Sequence, residues 1–452
     1  MTTSPLSSYT QATTLVAVDN AVRFDVPLPP DHAFYTDFSD VRGDFEDRMI
    51  YKTLNVNPNS FVFNRASNRD NKTILFLAGM RGSGKTSELA KIAKKLHRPD
   101  CFFCVTCNLD DGLDLNDMEY TDILIFQLER LFEELKGIDL KPDQQILGSL
   151  QEWFGERVKE VNKSIKQEGG FELELKAESP SLFSFLALAA KLKANITGSK
   201  ENADKIRTVL RNNFSDLAKK LNEFIEHINM RLRNKHKAQE LLFIIDGLEK
   251  IATSDIRKKI ILEESNRLKQ IKVQTLFTLP IELMPQAQRL NMFSTVVSFP
   301  CVKIRERDGT IIEEAVARFE DFVYKRIAPH LFDSPATVRK AILFGGGSPR
   351  ELLRILEYAN MFADEDSNQI TAHDLDKGIK KLAALTSQYI SQADLDHLKT
   401  LKEANAQGRY IPFDEGWQDL LEKLIVLEYN DGSYKRVNPI VEQSPLYQQY
   451  VG

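Results

Sequence analysis

Apolar positions along this chain follow two rhythms. Short unbroken runs at Ile74–Ala78, Cys101–Cys107, Leu241–Ile245, Val273–Leu279 and Thr295–Val302 read as strands buried on both faces. Other stretches repeat at three- and four-residue intervals, as helices with one inward face do: Leu89, Ile92, Ala93 and Leu96, then Ile123 to Leu135, then Ile206 to Ile228. Strands alternating with helices predict an α/β fold with a largely parallel sheet covered on both sides. Past Ile311 the pattern is almost wholly helical until a short hairpin near the end. Arg307-Asp308-Gly309 interrupts the rhythm and marks a boundary there. No internal repeat is visible.

The flanking and inserted segments read less regularly. Residues 1–34 are polar and run through Pro27-Leu28-Pro29-Pro30, which predicts a partly disordered lead-in before a core at 35–310. The core carries a large insertion at about 136–236. Within it, Phe171–Lys176 and Lys191–Ile196 each alternate strictly, so 170–197 reads as a hairpin. Its apolar tip, with Phe183 and Phe185, either docks into a partner or packs back onto the insertion's helices. Residues 311–390 form a helical unit and 391–452 a final module. There, helices at about 393–405 and 415–425 precede strand-like runs joined by Asn430-Asp431-Gly432, a turn signal.

Composition narrows the class without naming it. The chain has 452 residues, 42% of them hydrophobic and 28% charged, and no apolar run long enough to cross a bilayer. The first residues lack the basic-then-apolar pattern of a secretory leader, and four cysteines suit a reducing compartment, so a cytoplasmic protein is expected. A net charge of −5 gives whole-molecule electrostatics no pull toward nucleic acid. Cys101-x-x-Cys104-x-x-Cys107 invites a metal reading. A strand sends Cys104 away from the face shared by Cys101 and Cys107, so three ligands cannot converge and buried structural thiols are expected. The seven histidines are scattered without ligand spacing. Asp110, Asp111, Asp114 and Asp117 read as a solvated acidic loop.

The chemistry is concentrated after the first strand. Gly79-Met80-Arg81-Gly82-Ser83-Gly84-Lys85-Thr86 satisfies G-x-x-x-x-G-K-[ST] between a strand and an amphipathic helix. Gly79, Gly82 and Gly84 let successive backbone N–H groups, those of Ser83 and Ser87 among them, turn toward phosphate oxygens at a helix N-terminus. Lys85 is placed to reach the β- and γ-phosphates, and the Thr86 hydroxyl to ligate Mg2+. The run Leu241–Ile245 ends in Asp246, the acid such a site needs at the end of a neighbouring strand for the metal. Glu249, three residues on, is the candidate for polarising an attacking water, or is simply a solvated first-turn residue. Thr278 stands near the end of another strand, within possible reach of the γ-phosphate or water. Arg289 is the candidate for an arginine offered to a neighbouring subunit, or is a surface residue.

The combination resembles the AAA-like and STAND group of P-loop ATPases over roughly residues 35–450, a group common in prokaryotic anti-phage defence. Gly345-Gly346-Gly347-Ser348-Pro349-Arg350 looks like the segment that opens a helix of that group's lid, which implies Arg350 as a sensor of the γ-phosphate. The resemblance implies a P-loop NTPase core with a helical lid and a C-terminal winged-helix-like module. It also implies ATP and Mg2+ as ligands, and a homo-oligomer or an effector protein as partner. Many hydrolytic relatives carry the catalytic acid directly after the metal aspartate, where this chain has Gly247, so slow turnover is expected. The function expected is a nucleotide-dependent switch or assembly module. Two alternatives stay open: a DNA-engaging ATPase of replication or transposition that uses Lys435 and Arg436 on the wing, and a nucleotide-bound scaffold that does not hydrolyse.

Overall fold

The computed structural model describes residues 10–24, 27–43, 45, 47–64, 72–166, 181–289, 294–411, 415–430 and 432–452. Helix α1 (Leu15–Ala21) opens the chain and α2 (Asp47–Thr53) precedes the first strand. Then follow β1 (Ile74–Gly79), α3 (Lys85–Leu96) and β2 (Phe102–Asn108). An insertion whose described residues form helices comes next: α4 (Tyr120–Gly137), α5 (Gln144–Lys166), α6 (Leu182–Gly198), α7 (Lys200–Asn212) and α8 (Phe214–Asn234). The core resumes with β3 (Glu240–Asp246), α9 (Ser254–Lys258), α10 (Ser265–Gln270), β4 (Gln274–Pro280), α11 (Met284–Arg289) and β5 (Ser294–Ser298).

These strands form one parallel sheet in the order β2-β3-β4-β1-β5. The inner strands β1, β3 and β4 are buried on both faces because both faces are covered. Leu75, Leu77, Leu242, Ile244 and Leu276 point to the side packed by Ile50, Leu89 and Ile92 of α2 and α3. Phe76, Val105, Phe243, Ile245 and Phe277 point to the opposite side, under the insertion's helices. Since β3 and β1 run parallel with β4 between them, the acid ending β3 and the loop leaving β1 emerge at the same edge of the sheet. That edge is where ligands of open α/β sheets bind.

A helical unit follows: α12 (Glu313–Tyr324), α13 (Pro335–Phe344), α14 (Pro349–Phe362) and α15 (Ala372–Ser387). The last stretch holds α16 (Gln392–Ala406), α17 (Glu415–Glu422), the antiparallel pair β6 (Val426–Tyr429) and β7 (Tyr434–Val437), then α18 (Pro439–Glu442) and α19 (Pro445–Tyr450).

Three expectations change. The described part of the lead-in, from residue 10 on, packs into the fold: Ala12, Leu15, Val18, Phe34 and Phe38 are buried with Val316, Phe319 and Leu356 of the helical unit. Prolines ended regular structure there without preventing packing, because the apolar side chains between them still found a surface to cover. The hairpin at 170–197 is corrected in its second half. Lys191–Ile196 lies within α6, whose buried Phe185, Leu188, Ala189, Leu192 and Ile196 keep helical spacing; Phe171–Lys176 falls outside the described residues. Six alternating residues fit either period, and the longer register of the apolar face decided. Phe185 is accordingly buried, whereas Phe183 is exposed under the Lys136 ammonium at 5.6 Å. Finally, Cys101 lies before β2 rather than in it and joins Cys104 on the α3 side, while Cys107 faces the insertion. All three thiols are buried and burial pushes their pKa values up, as inert core cysteines require.

Candidate nucleotide-binding site

The loop between β1 and α3 is shaped by its glycines. Gly82 and Gly84 hold φ of 82° and 99°, a left-handed region that other residues enter at a cost. A Cβ on Gly79 would stand 2.5 Å from Phe299 O, so glycine there lets the loop leave the sheet against the end of β5. Lys85, 3% exposed, lies back under the loop and donates to Gly79 O and Met80 O at 3.0 Å each. Its ammonium also stands 3.7 Å from Glu249 Oε1.

Asp246 is 2% exposed, and neither of its carboxylate oxygens accepts a hydrogen bond among the described residues. Burial pushes its pKa up, the negative charge of Glu249 adds to that, and the Thr86 hydroxyl and Lys85 oppose it. Two buried, unpartnered carboxylate oxygens beside a threonine hydroxyl make a hard-oxygen donor set of the kind Mg2+ takes. Thr86 and Asp246 therefore fit the metal expected of them.

Glu249 sits in a short 3-10 turn (Leu248–Lys250) launched by Gly247, whose φ of 103° explains the glycine directly after Asp246. Burial alone would raise the Glu249 carboxyl. The charges of Lys85 and Lys250 and the hydrogen bonds from its own backbone and Thr278 together exceed it, so the net shift is downward and the group stays ionised. Thr278 itself is fully buried and its Oγ1 accepts the Gly247 N–H at 3.1 Å. The structure thus gives Thr278 a place behind the two acids, holding the turn that carries Glu249, rather than on the cleft wall. The side chain of Arg289 lies outside the described residues.

Arg350 opens α14 directly over the phosphate loop. A Cβ on Gly82 would come within 2.7 Å of Arg350 Cβ, so the glycine also permits this approach. Its Nε is buried without a partner among the described residues, and burial together with the like charge of Arg81 lowers its pKa. Arg354, one turn on, is occupied by Glu351 at 2.9 Å.

Sequence reasoning missed Arg42. It is 4% exposed, with its guanidinium 3.9 Å from the Phe299 ring centroid. NH2 donates to Ser83 O and NH1 to Pro300 O, both at 2.7 Å. Burial pushes its pKa down to about 10, so it remains a cation that ties the phosphate loop to the chain after β5. No motif flags an arginine whose partners are backbone carbonyls far away in sequence. Arg42→Ala leaves both buried carbonyls without a donor and is expected to cost about 3 kcal/mol. Urea unfolding, with the slope held constant, measures it.

Arg42, Lys85, Thr86, Ser87, Glu249 and Arg350 line an open cleft that continues to Phe24, Phe34 and Arg326. The C-terminal module reaches the same loop from behind: the Glu428 N–H of β6 meets Met80 Sδ at 3.1 Å, and Tyr429 donates to Gly346 O at 2.6 Å in the turn leading to Arg350. The two cations of β7 are engaged, Lys435 with Glu428 at 3.1 Å and Arg436 with Glu442 at 4.0 Å.

A G-x-x-x-x-G-K-[ST] loop after β1, with β4 between β1 and the strand ending in Asp246, decides the fold. It is that of a P-loop nucleoside triphosphatase. No protein-family profile matches the chain. No curated protein matches it in sequence either. Among solved structures, the Walker-type ATPase Paby2304 of Pyrococcus abyssi aligns at 13% identity and a TM-score of 0.41, covering 92% of this chain and 98% of that one. Two structures of RuvB variants from Thermotoga maritima align at 11% identity, with TM-scores of 0.29 and 0.31 and coverage of 84% and 90% of this chain, 86% and 97% of theirs. No described helix is long and apolar enough to cross a membrane.

Proposed function

We propose that this chain binds ATP with Mg2+, hydrolyses it slowly, and uses the bound nucleotide to set the position of its helical lid. The observation that carries this reading is Arg350: a lid cation packed on the phosphate loop, with a buried donor that lacks an acceptor. A γ-phosphate at Lys85 would give that donor its acceptor and draw lid and core together, whereas a diphosphate would not, so the two nucleotides bias the lid differently.

Each group then has a role. Lys85 and the loop N–H groups bind the phosphates, and Thr86 and Asp246 hold the metal, which when bound supplies charge neutralisation of the β- and γ-phosphate oxygens. Glu249 orients the attacking water and takes its proton. Thr278 positions Glu249 through the Gly247 turn. Slow rather than fast turnover is supported by the glycine directly after Asp246 and by the ion pair that occupies Glu249 with Lys85.

The setting we infer is a homo-oligomer or a complex with an effector protein, in the cytoplasm, of the kind seen in anti-phage defence; this part rests on the family resemblance alone. The DNA-engaging alternative draws less support, because Lys435 and Arg436 already face acids. Particle mass with and without a non-hydrolysable ATP analogue tests the switch. A nucleotide-dependent change in assembly that disappears in Arg350→Ala is expected; the same species under every condition would leave assembly out of the function.

A further inference from the structure

Among the described residues four arginines are almost completely buried, and three of them find at least two acceptors each in the protein. Arg207 is bidentate on Asp122 and also meets Asp117. Arg257 bridges Glu282 and Glu422. Arg42 has its two carbonyls. Arg326, just past α12 and 4% exposed, has only Phe322 O, which accepts from NH1 at 2.8 Å. Among the described residues its Nε and NH2 donate to nothing, and no carboxylate forms an ion pair with it.

Aromatic faces hold the group in place. The guanidinium carbon stands 3.7 Å from the Phe322 ring centroid and 5.3 Å from that of Phe34. Burial pushes the pKa down to about 9, with the charge of Asp321 opposing, so the group is still cationic near neutrality. A buried cation with unused donors is costly unless a ligand supplies the acceptor. Arg326 lines the same cleft as the phosphate loop, beside Phe24, Leu28 and Phe34, so its donors face a partly apolar, partly aromatic recess.

The phosphate end of the cleft is already supplied with donors by Lys85, Arg81, Arg350 and the loop backbone. A donor-only group in an aromatic recess at the other end suits the edge of a heterocyclic base. We propose that Arg326 is the nucleobase-recognition residue of this site, donating to the ring acceptors of a purine seated against Phe24 and Phe34. Purines offer N7 on their open edge, and guanine adds O6 beside it, the pair to which arginine donates best. The assignment rests on reading the cleft as a nucleotide site.

Calorimetric binding of ATP, GTP and inorganic tripolyphosphate, each with Mg2+, tests it. Arg326→Met is expected to weaken ATP about tenfold, and GTP at least as much, while tripolyphosphate changes by less than about twofold. Arg326→Lys, which keeps a donor, should recover part of the loss. Equal losses for ATP and tripolyphosphate would show a merely structural role and overturn the proposal, as would unchanged ATP affinity. A wild-type protein that binds tripolyphosphate but no purine nucleotide refutes the base assignment alone. One that binds neither refutes the nucleotide site, and the proposal falls with it.

Discussion

Lys85→Ala is expected to abolish measurable ATP binding, a loss of about a hundredfold or more, while far-UV circular dichroism stays that of the folded protein. Lysine at this position is a buried cation, and a charge-assisted bond to phosphate in a desolvated cleft contributes about 3 kcal/mol, or roughly two powers of ten in affinity. The same ammonium donates to Gly79 O and Met80 O and pairs with Glu249. Its removal therefore also loosens the loop whose N–H groups bind phosphate. The fold should survive, because the sheet core beneath is held by apolar contacts that Lys85 does not make. Arg42 still ties Ser83 in place. Calorimetry against ATP reads the loss, and unchanged affinity would sink the nucleotide site.

What the sequence made legible follows from where information is local. Strands buried on both faces announce themselves as apolar runs, and the phosphate loop is contiguous, so β1, β3, Gly79–Thr86 and Asp246 were all readable one after another. Arg350 was readable because its glycine-rich turn and helix start are local too. Arg42 and Arg326 were not. Each is a single arginine whose meaning comes from neighbours brought in by folding: Ser83 and Pro300 in one case, Phe34 in the other. The N-terminal segment was misjudged for a related reason. Its prolines speak against regular structure, but nothing in 1–34 tells that Leu15 and Val18 have a surface on α14 waiting for them. The alternating stretch at Lys191–Ile196 failed differently: six residues are too few to separate a period of 2 from one of 3.6.

Glu249→Gln is expected to lower ATP turnover by about a hundredfold, the usual contribution of a positioned base, with ATP affinity nearly unchanged. The prediction separates two readings that the sequence left open, water-positioning acid or solvated turn residue. The geometry argues against simple solvation: the Glu249 side chain is 12% exposed and lies 3.7 Å from Lys85, and Thr278 fixes the turn that carries it. A glutamine keeps that shape and loses the negative charge, and with it both the ability to accept a proton and the ion pair with Lys85. The Lys85 contact also implies an order of events. An ammonium drawn toward the γ-phosphate is withdrawn from Glu249, so arrival of a triphosphate frees the carboxylate at the moment a water needs it. Asp246→Asn should behave differently, weakening the dependence of binding on Mg2+ as well as turnover, because its unpartnered oxygens are the metal donors. If Glu249→Gln turns over at the wild-type rate while Asp246→Asn does not, the acid that activates water is another residue, and the turn at Gly247 serves the loop rather than the chemistry.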